Sequence, residues 1–402
     1  MKKFDTELFN EIASDAEKLL AEIETISHNP AEIGEKLLLK IIRDNETTEY
    51  GKKYNFASIH SYEDFKKNVP LTEYGDYHAY IKRMLENGET GLITNYPVVH
   101  YATSSGSVGV PKSIPVSKYG MDEICDYTGK LKFAFMKRAL DAAGGKPGWV
   151  ASLVDFSSDL VGHGVTRGAI SSHALDFVAD KLESIFTSPM ELLKPTKPIE
   201  NGMYLKALFA LRYKDVSCLS TSFSSSINEF FNVIQNNWQD LVNDLRTGNI
   251  ASLADSSDER DVALRNALEA DPKRADELEK EFLKGFDTPI LPRIWPNCKL
   301  IVAIGGSFFA EHTENSRKFI GDVPYFHNVY AASEAVMGAA LDIEDTNYAL
   351  LAHNIFFEFL PIGEEDFSKM EEGFFSIFAA SADNSFGRRS DGETDRFHRS
   401  GC

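Results

Sequence analysis

The sequence predicts an α/β fold, with a mixed or parallel sheet flanked by helices, on three observations. Short apolar runs rich in β-branched and aromatic residues recur at 97–102, 149–156, 216–219, 300–304, 325–330 and 355–359, several of them beside Gly or Pro. Between these runs lie stretches whose apolar residues recur every three or four positions, the spacing of one helix face. The composition is 43% hydrophobic and 26% charged over 402 residues, which suits a large folded globule and excludes a mostly disordered chain or a small disulfide scaffold. Strands alternating with helices are what a parallel sheet requires, because each crossover must pass over the sheet.

The elements follow in order. From Phe4 the positions Leu8, Phe9, Ile12, Ala16, Leu19, Leu20 and Ile23 form one helical face. Asn29-Pro30 then reads as N-cap and first residue of a second helix through Ile33, Leu37, Leu38, Ile41 and Ile42, so the first 45 residues are expected to form a helical hairpin. Short helical pieces broken at Gly51, Pro70 and Gly75 are expected next. The clearest later helix carries Ile227, Phe230, Phe231, Ile234, Trp238, Leu241, Val242 and Leu245 and closes at Gly248. The stretch 256–284 is densely charged, with sparse apolar positions at Leu264, Leu268, Leu278 and Phe282, and is expected to be a solvated helical insertion. After Ile377 there is no Leu, Ile, Val or Met. Residues 1–372 are therefore read as one large domain, incomplete at its C-terminal end, and 373–402 as a disordered tail that can bury no face.

Lys plus Arg total 42 against 61 Asp plus Glu, a formal charge of −19. A surface this acidic repels phosphate backbones, so nucleic acid and anionic membrane are not expected partners. Cys125, Cys218, Cys298 and Cys402 lie far apart with no metal-ligand spacing, as reduced cytosolic thiols would. Asp5, Glu7 and Glu11 interrupt any signal-peptide core, and the charge-free stretch 91–111 carries too many Gly, Ser and Pro residues to span a membrane. A cytoplasmic location is expected.

The chemistry concentrates in three places. The run 101–116 leaves a strand and offers Ser104, Ser105, Gly106, Ser107 and Lys112, the backbone freedom, hydroxyls and cation that a polyphosphate needs. Gly106, Lys112 and Ser113 have the spacing of a G-x-x-x-x-G-K-S loop, but Pro111 replaces its second Gly, and Pro115 would disrupt the helix that must start at the lysine. A Ser/Thr/Gly hairpin between strands tolerates both prolines, and is the preferred reading. Next, the apolar run 300–304 ends in Gly305-Gly306-Ser307, at the strand edge where open α/β sheets bind flat ligands. Then comes Tyr330-Ala331-Ala332-Ser333-Glu334: Tyr330 to stack on a base, Ser333 to donate to an α-phosphate, Glu334 as a hard oxygen ligand for Mg²⁺. Taken alone, Ser333-Glu334 would serve equally as a helix start. The last run, 356–361, reads as strand core with Glu358 facing outward.

The ordered series of Ser/Gly/Lys loop, Gly-Gly, Tyr-x-x-Ser-Glu and Phe-Glu-Phe-x-Pro resembles the plant auxin-responsive acyl-acid amido synthetase family and its bacterial relatives, a branch of the acyl-adenylating enzymes. Gly51-Lys52-Lys53-Tyr54 and Val69-Pro70-Leu71 resemble it too, and the resemblance runs from about residue 35 to 362. It implies the large N-terminal domain of an acyl-adenylate-forming enzyme, with the small C-terminal domain missing. It further implies a two-step ligase using ATP and Mg²⁺, in which a carboxylic acid becomes an acyl-adenylate and an amine, typically of an amino acid, then attacks it. On that resemblance Ser104, Ser105, Gly106, Ser107 and Lys112 match the phosphate loop, Gly305, Gly306 and Ser307 the adenine and acyl region, and Tyr330, Ala332, Ser333 and Glu334 the nucleotide and metal motif. Lys112 and Glu334 are the catalytic candidates. The chain departs from the family at Ser107-Val108 in the loop and lacks its downstream Tyr-Arg-x-Gly-Asp motif, so impaired activity is expected. A P-loop phosphotransferase and a non-catalytic fragment are the alternatives. His100, His163 and His327 precede or adjoin these motifs; histidines in such places are more often hydrogen-bonded core or loop residues than ligands.

Overall fold

The structure, a computed structural model, describes residues 3–104, 112–154, 158–195, 199–306 and 309–359. The tail expected at 373–402 lies outside them. The strands are β1 (Val98–Thr103), β2 (Ser113–Ser117), β3 (Trp149–Ser152), β4 (Asp159–Val161), β5 (Val165–Gly168), β6 (Val216–Phe223), β7 (Leu300–Ile304), β8 (Tyr325–Phe326), β9 (Val329–Ala331), β10 (Val336–Ala339) and β11 (Ala349–Leu350). The helices are α1 (Thr6–Ser27), α2 (Pro30–Asp44), α3 (Glu49–Lys53), α4 (Tyr62–Asn68), α5 (Tyr74–Asn87), α6 (Lys118–Glu123), α7 (Leu131–Ala142), α8 (Met190–Leu193), α9 (Gly202–Leu211), α10 (Ser225–Thr247), α11 (Glu259–Ala267), α12 (Pro272–Phe282), α13 (Leu291–Ile294) and α14 (Ala310–Ile320).

A parallel sheet in the order β3-β6-β7-β8 forms the centre, and its strands are buried on both faces. Side chains alternate between two cores because the strand period is two. Trp149, Ala151, Val216, Leu219, Ile301, Ala303 and Tyr325 enter the core under α9, α10 and α12, while Val150, Cys218, Leu300, Val302 and Phe326 enter the core under α1 and α7. A mixed sheet, β2-β1-β5-β4, and an antiparallel sheet, β11-β10-β9, complete the α/β architecture.

Several expectations are corrected. The first two helices form where expected, but not as a hairpin sharing one core: α1 sends Leu8, Phe9, Ile12 and Ile23 onto α7 and the central sheet, whereas α2 sends Leu38 and Ile42 into a separate aromatic cluster with Tyr50, Phe56 and Tyr62. Gly51 does not break a helix; it lies within α3, where a β-carbon would strike the carbonyl of Asn45. Gly75 likewise lies in the first turn of α5. The charged stretch 256–284 is helical, but it is no solvated insertion. Leu264, Ala275, Leu278 and Phe282 are buried in the core, and Arg274, 7% exposed, donates to the carbonyls of Leu211, at 2.9 Å, and Ile294, at 3.0 Å. The run 325–330 is two strands rather than one, because Asn328 adopts a left-handed conformation (φ 47°) between β8 and β9. Residues 355–358 form no strand: Phe356 packs on Tyr62 and Phe65, and Glu358 accepts a 2.9 Å hydrogen bond from Tyr62 instead of facing outward. Among the described residues no helix is long and apolar enough to cross a membrane, and Cys125, Cys218 and Cys298 are free and buried.

Candidate nucleotide site

The Ser/Gly/Lys loop connects two antiparallel strands, β1 and β2, which pair from Val98 with Ser117 to Thr103 with Ser113. Ser105, Gly106 and Ser107 lie outside the described residues, but both ends of the loop are fixed. Ser104 N–H donates to the Lys112 carbonyl at 3.1 Å, and Lys112 N–H donates to Ser104 Oγ at 3.0 Å. A strand, not a helix, follows Lys112. The phosphate loop of a phosphotransferase needs a helix N-terminus there, so this geometry removes that reading in favour of the hairpin. The Lys112 ammonium lies over the Tyr74 ring, 5.3 Å from its centroid, and the Tyr74 hydroxyl accepts from Ser113 N–H at 3.1 Å. Tyr74, at the start of α5, was not foreseen; no local sequence signal marks it.

A hydrogen-bonded network runs from the interior behind this hairpin to the surface. His100 on β1 is fully buried, with Nδ1 2.8 Å from Thr166 Oγ1 and 3.1 Å from His173 Nε2, and Nε2 3.2 Å from the Gly168 carbonyl. His173 Nδ1 lies 2.6 Å from Asp176, which also accepts from Lys194 at 2.8 Å. Burial, aided by the neighbouring His173, pushes the His100 imidazole down to about 4. Burial opposes the charge on Asp176, but the bonds from His173 and Lys194 outweigh it and hold its carboxyl below the ordinary value. His100 is thus a neutral core histidine. His163 sits in the turn between β4 and β5 with its ring against Gly88.

The parallel order of the central sheet puts the ends of β7 and β8 on one edge. Gly305 and Gly306 follow β7 directly and His327 follows β8. These are brought together: a β-carbon on Gly305 would come within 2.8 Å of the His327 ring and would also strike Thr313 Oγ1. His327 Nδ1 lies 3.2 Å from the Ala303 carbonyl, and Tyr348 donates to the His327 carbonyl at 3.3 Å. Gly306 faces Thr346 with ordinary clearance, 3.7 Å. Ser307 lies outside the described residues.

Tyr330 ends up on β9 and half exposed, tilted against Tyr348 at 5.9 Å. Ala332, Ser333 and Glu334 form the turn between β9 and β10, closed by Ala332 N–H donating to Ala335 at 3.0 Å. They are not the start of a helix. Glu334 is exposed and has no ion pair or hydrogen bond among the described residues, and no hydrogen bond there joins Lys112 to this turn. Ile170 packs against the cluster of Ala102, Val116 and Met121 behind the loop hairpin and also against the larger core that includes Val329 and Val336.

A strand-flanked Ser/Gly/Lys loop, a glycine pair at a parallel-sheet edge and an exposed Tyr-x-x-Ser-Glu turn occur here in one chain, and residues 19–325 match the GH3 family N-terminal domain. The chain belongs to the GH3 family. It is similar to the indole-3-acetic acid-amido synthetase GH3.4 of Arabidopsis thaliana, 27% identical over 357 residues, which cover 86% of this chain and 59% of that protein. It is also similar to the jasmonoyl--L-amino acid synthetase GH3.5 of Oryza sativa subsp. japonica, 25% identical with 87% and 62% covered. Among solved structures, the GH3.15 acyl acid amido synthetase superposes with a TM-score of 0.73 at 25% identity, over 85% of this chain and 61% of that one. The α/β fold is therefore the fold of the GH3 N-terminal domain, and the chain spans about three fifths of the length of these relatives.

Proposed function

We propose that this GH3 chain takes part in an ATP-dependent acid ligation, activating a small carboxylic acid as its acyl-adenylate for conjugation to an amine, typically that of an amino acid. The observation that carries the reading is the β1–β2 hairpin, in which Ser104 and Lys112 close a loop on a strand where a phosphotransferase would have a helix. The names of its relatives, amido synthetases of indole-3-acetic acid and jasmonoyl-amino acid synthetases, support it. In the first step a carboxylate oxygen attacks the α-phosphorus of ATP and pyrophosphate leaves; in the second the amine nitrogen attacks the acyl carbonyl, loses a proton, and AMP leaves.

Each candidate has a role in that chemistry. Ser104, Ser105, Gly106 and Ser107 donate to the polyphosphate, and Lys112 offsets charge building on the leaving pyrophosphate. Gly305, Gly306 and Ser307 supply the strand edge on which the flat base lies, with the open face at Gly306; Tyr330 stacks on the base, and Ala332 and Ser333 present the turn to the α-phosphate. Glu334 fits Mg²⁺: it is an exposed carboxylate without a partner among the described residues, and this ion commonly uses one or two carboxylates together with substrate phosphates. Bound there, Mg²⁺ neutralises phosphate charge. The cytoplasm is the compartment we propose for the reaction, and the free thiols of Cys125, Cys218 and Cys298 support it. The test is product analysis with ATP, Mg²⁺ and a panel of acids. Acid-dependent pyrophosphate formation supports the ligase; ADP formation would replace it with a phosphotransferase, and neither product with a non-catalytic role.

A further inference from the structure

Seven buried side-chain polar atoms lack a hydrogen-bond partner among the described residues, and five of them belong to residues on or in contact with the segment 123–128: Glu123 Oε2, Asn328 Oδ1, His353 Nδ1 and both amide atoms of Asn354. Native interiors leave few such atoms, and a cluster of them calls for an explanation, such as an ordered water or an ion. The cluster is continuous. Glu123 and Tyr127 are four residues apart where α6 runs into a π-helical segment (Ile124–Lys130), a helix irregularity frequent at functional sites. The Tyr127 hydroxyl is 2.7 Å from His353 Nε2, and Asn328, 7% exposed, donates from Nδ2 to the Thr128 carbonyl at 3.1 Å. Asn354 lies beside Glu123 without completing a hydrogen bond to it.

The charges that act on Glu123 are acidic. Asp122 and Asp126 flank it on its own helix, Glu22 faces it from α1, and the uncharged Tyr119, Tyr127, His353 and Asn354 fill the rest. The nearby cations are already engaged, Lys118 with Asp122 and Lys130 with Asp126. Burial and these acids push the Glu123 carboxyl up to about 7, and burial keeps the His353 imidazole neutral, down to about 4.

We propose that this cluster binds a small monovalent cation, an alkali-metal ion or a primary ammonium group, through Glu123 Oε2 and the carboxamide oxygens of Asn328 and Asn354. One carboxylate with neutral oxygen donors balances a single positive charge, whereas divalent ions favour several carboxylates or phosphates. None of the three proposed ligands is a nucleotide candidate, although Asn328 lies two residues before Tyr330, and the proposal does not depend on the ligase reading.

The test uses the whole chain near pH 7, melted in potassium, sodium, methylammonium or tetramethylammonium chloride at equal ionic strength. A small cation should raise the melting temperature by about 2 °C or more over tetramethylammonium, which is too large to enter. Binding should release protons, because the cation ionises Glu123. Potassium or sodium against methylammonium distinguishes a metal ion from an ammonium group. Glu123→Gln should abolish both effects; should that variant fail to fold, proton release by the unaltered chain decides alone. Equal melting temperatures in all four salts without proton release, or a Glu123→Gln protein that keeps the difference, would show that the atoms are bridged by water and overturn the proposal.

Discussion

Gly305→Ala should damage the nucleotide edge through a single methyl group. The added carbon would lie within 2.8 Å of the His327 ring and against Thr313 Oγ1, and neither neighbour is free to retreat. Thr313 Oγ1 donates to the Gly305 carbonyl at 3.0 Å, and the imidazole is held against the Ala303 carbonyl and stacked on Tyr325. Overpacking of this kind costs about 1–3 kcal/mol. Because His327 leads through Asn328 to Tyr330, the shift should also move the turn, and ATP affinity should fall along with stability. Gly306→Ala is the internal control, since its methyl group meets only Thr346 at 3.7 Å. It should melt as the parent does while weakening nucleotide binding, if the base lies on that glycine. Urea denaturation followed by circular dichroism, with ATP titration of each protein, reads both effects. A Gly305→Ala protein as stable as its parent would refute the packing argument.

Arg274→Met should cost about 2–4 kcal/mol, because the side chain is buried and its loss strands the carbonyls of Leu211 and Ile294; urea denaturation checks it. The acid limb of stability should depend on His100. Its imidazole stays neutral in the fold down to about 4, while the unfolded chain takes up a proton below about 6.5, so stability is lost as pH falls through that window, by about 3–4 kcal/mol at most. His100→Asn should flatten this loss. Glu123, raised to about 7, has the opposite sign: its folded form holds a proton that the unfolded chain releases above about 4.5, so its penalty grows as pH rises toward 7, and Glu123→Gln should remove it in the same denaturation series.

The central strands were legible because burial on both faces makes parallel strands read as continuous apolar runs, and 300–304 became β7 without adjustment. The long α10 was equally plain, its Gly248 in the left-handed conformation that ends a helix. What a helix packs against was not legible. The faces of α1 and α2 look alike in sequence, yet they enter different cores, and the charged face of α12 hides how Arg274 fills a hole lined by carbonyls. At the candidate site the loop, the glycine pair and Tyr330 carried a local signature. Tyr74, Thr346 and Tyr348 did not, because they reach the site through tertiary packing alone.

The claim that the β1–β2 loop and the β9–β10 turn serve one nucleotide is tested most directly by titrating ATP, with and without Mg²⁺, into the parent chain, Lys112→Ala, Glu334→Gln and the double variant. Lys112→Ala should lose about 1.5–3 kcal/mol of binding in either condition, the worth of a charge-assisted contact. Glu334→Gln should lose the Mg²⁺ dependence of binding, and both single variants should melt with the parent. Nucleotide affinity unchanged by Lys112→Ala, or a Glu334→Gln protein that keeps its Mg²⁺ response while its melting temperature falls, would contradict the assignment.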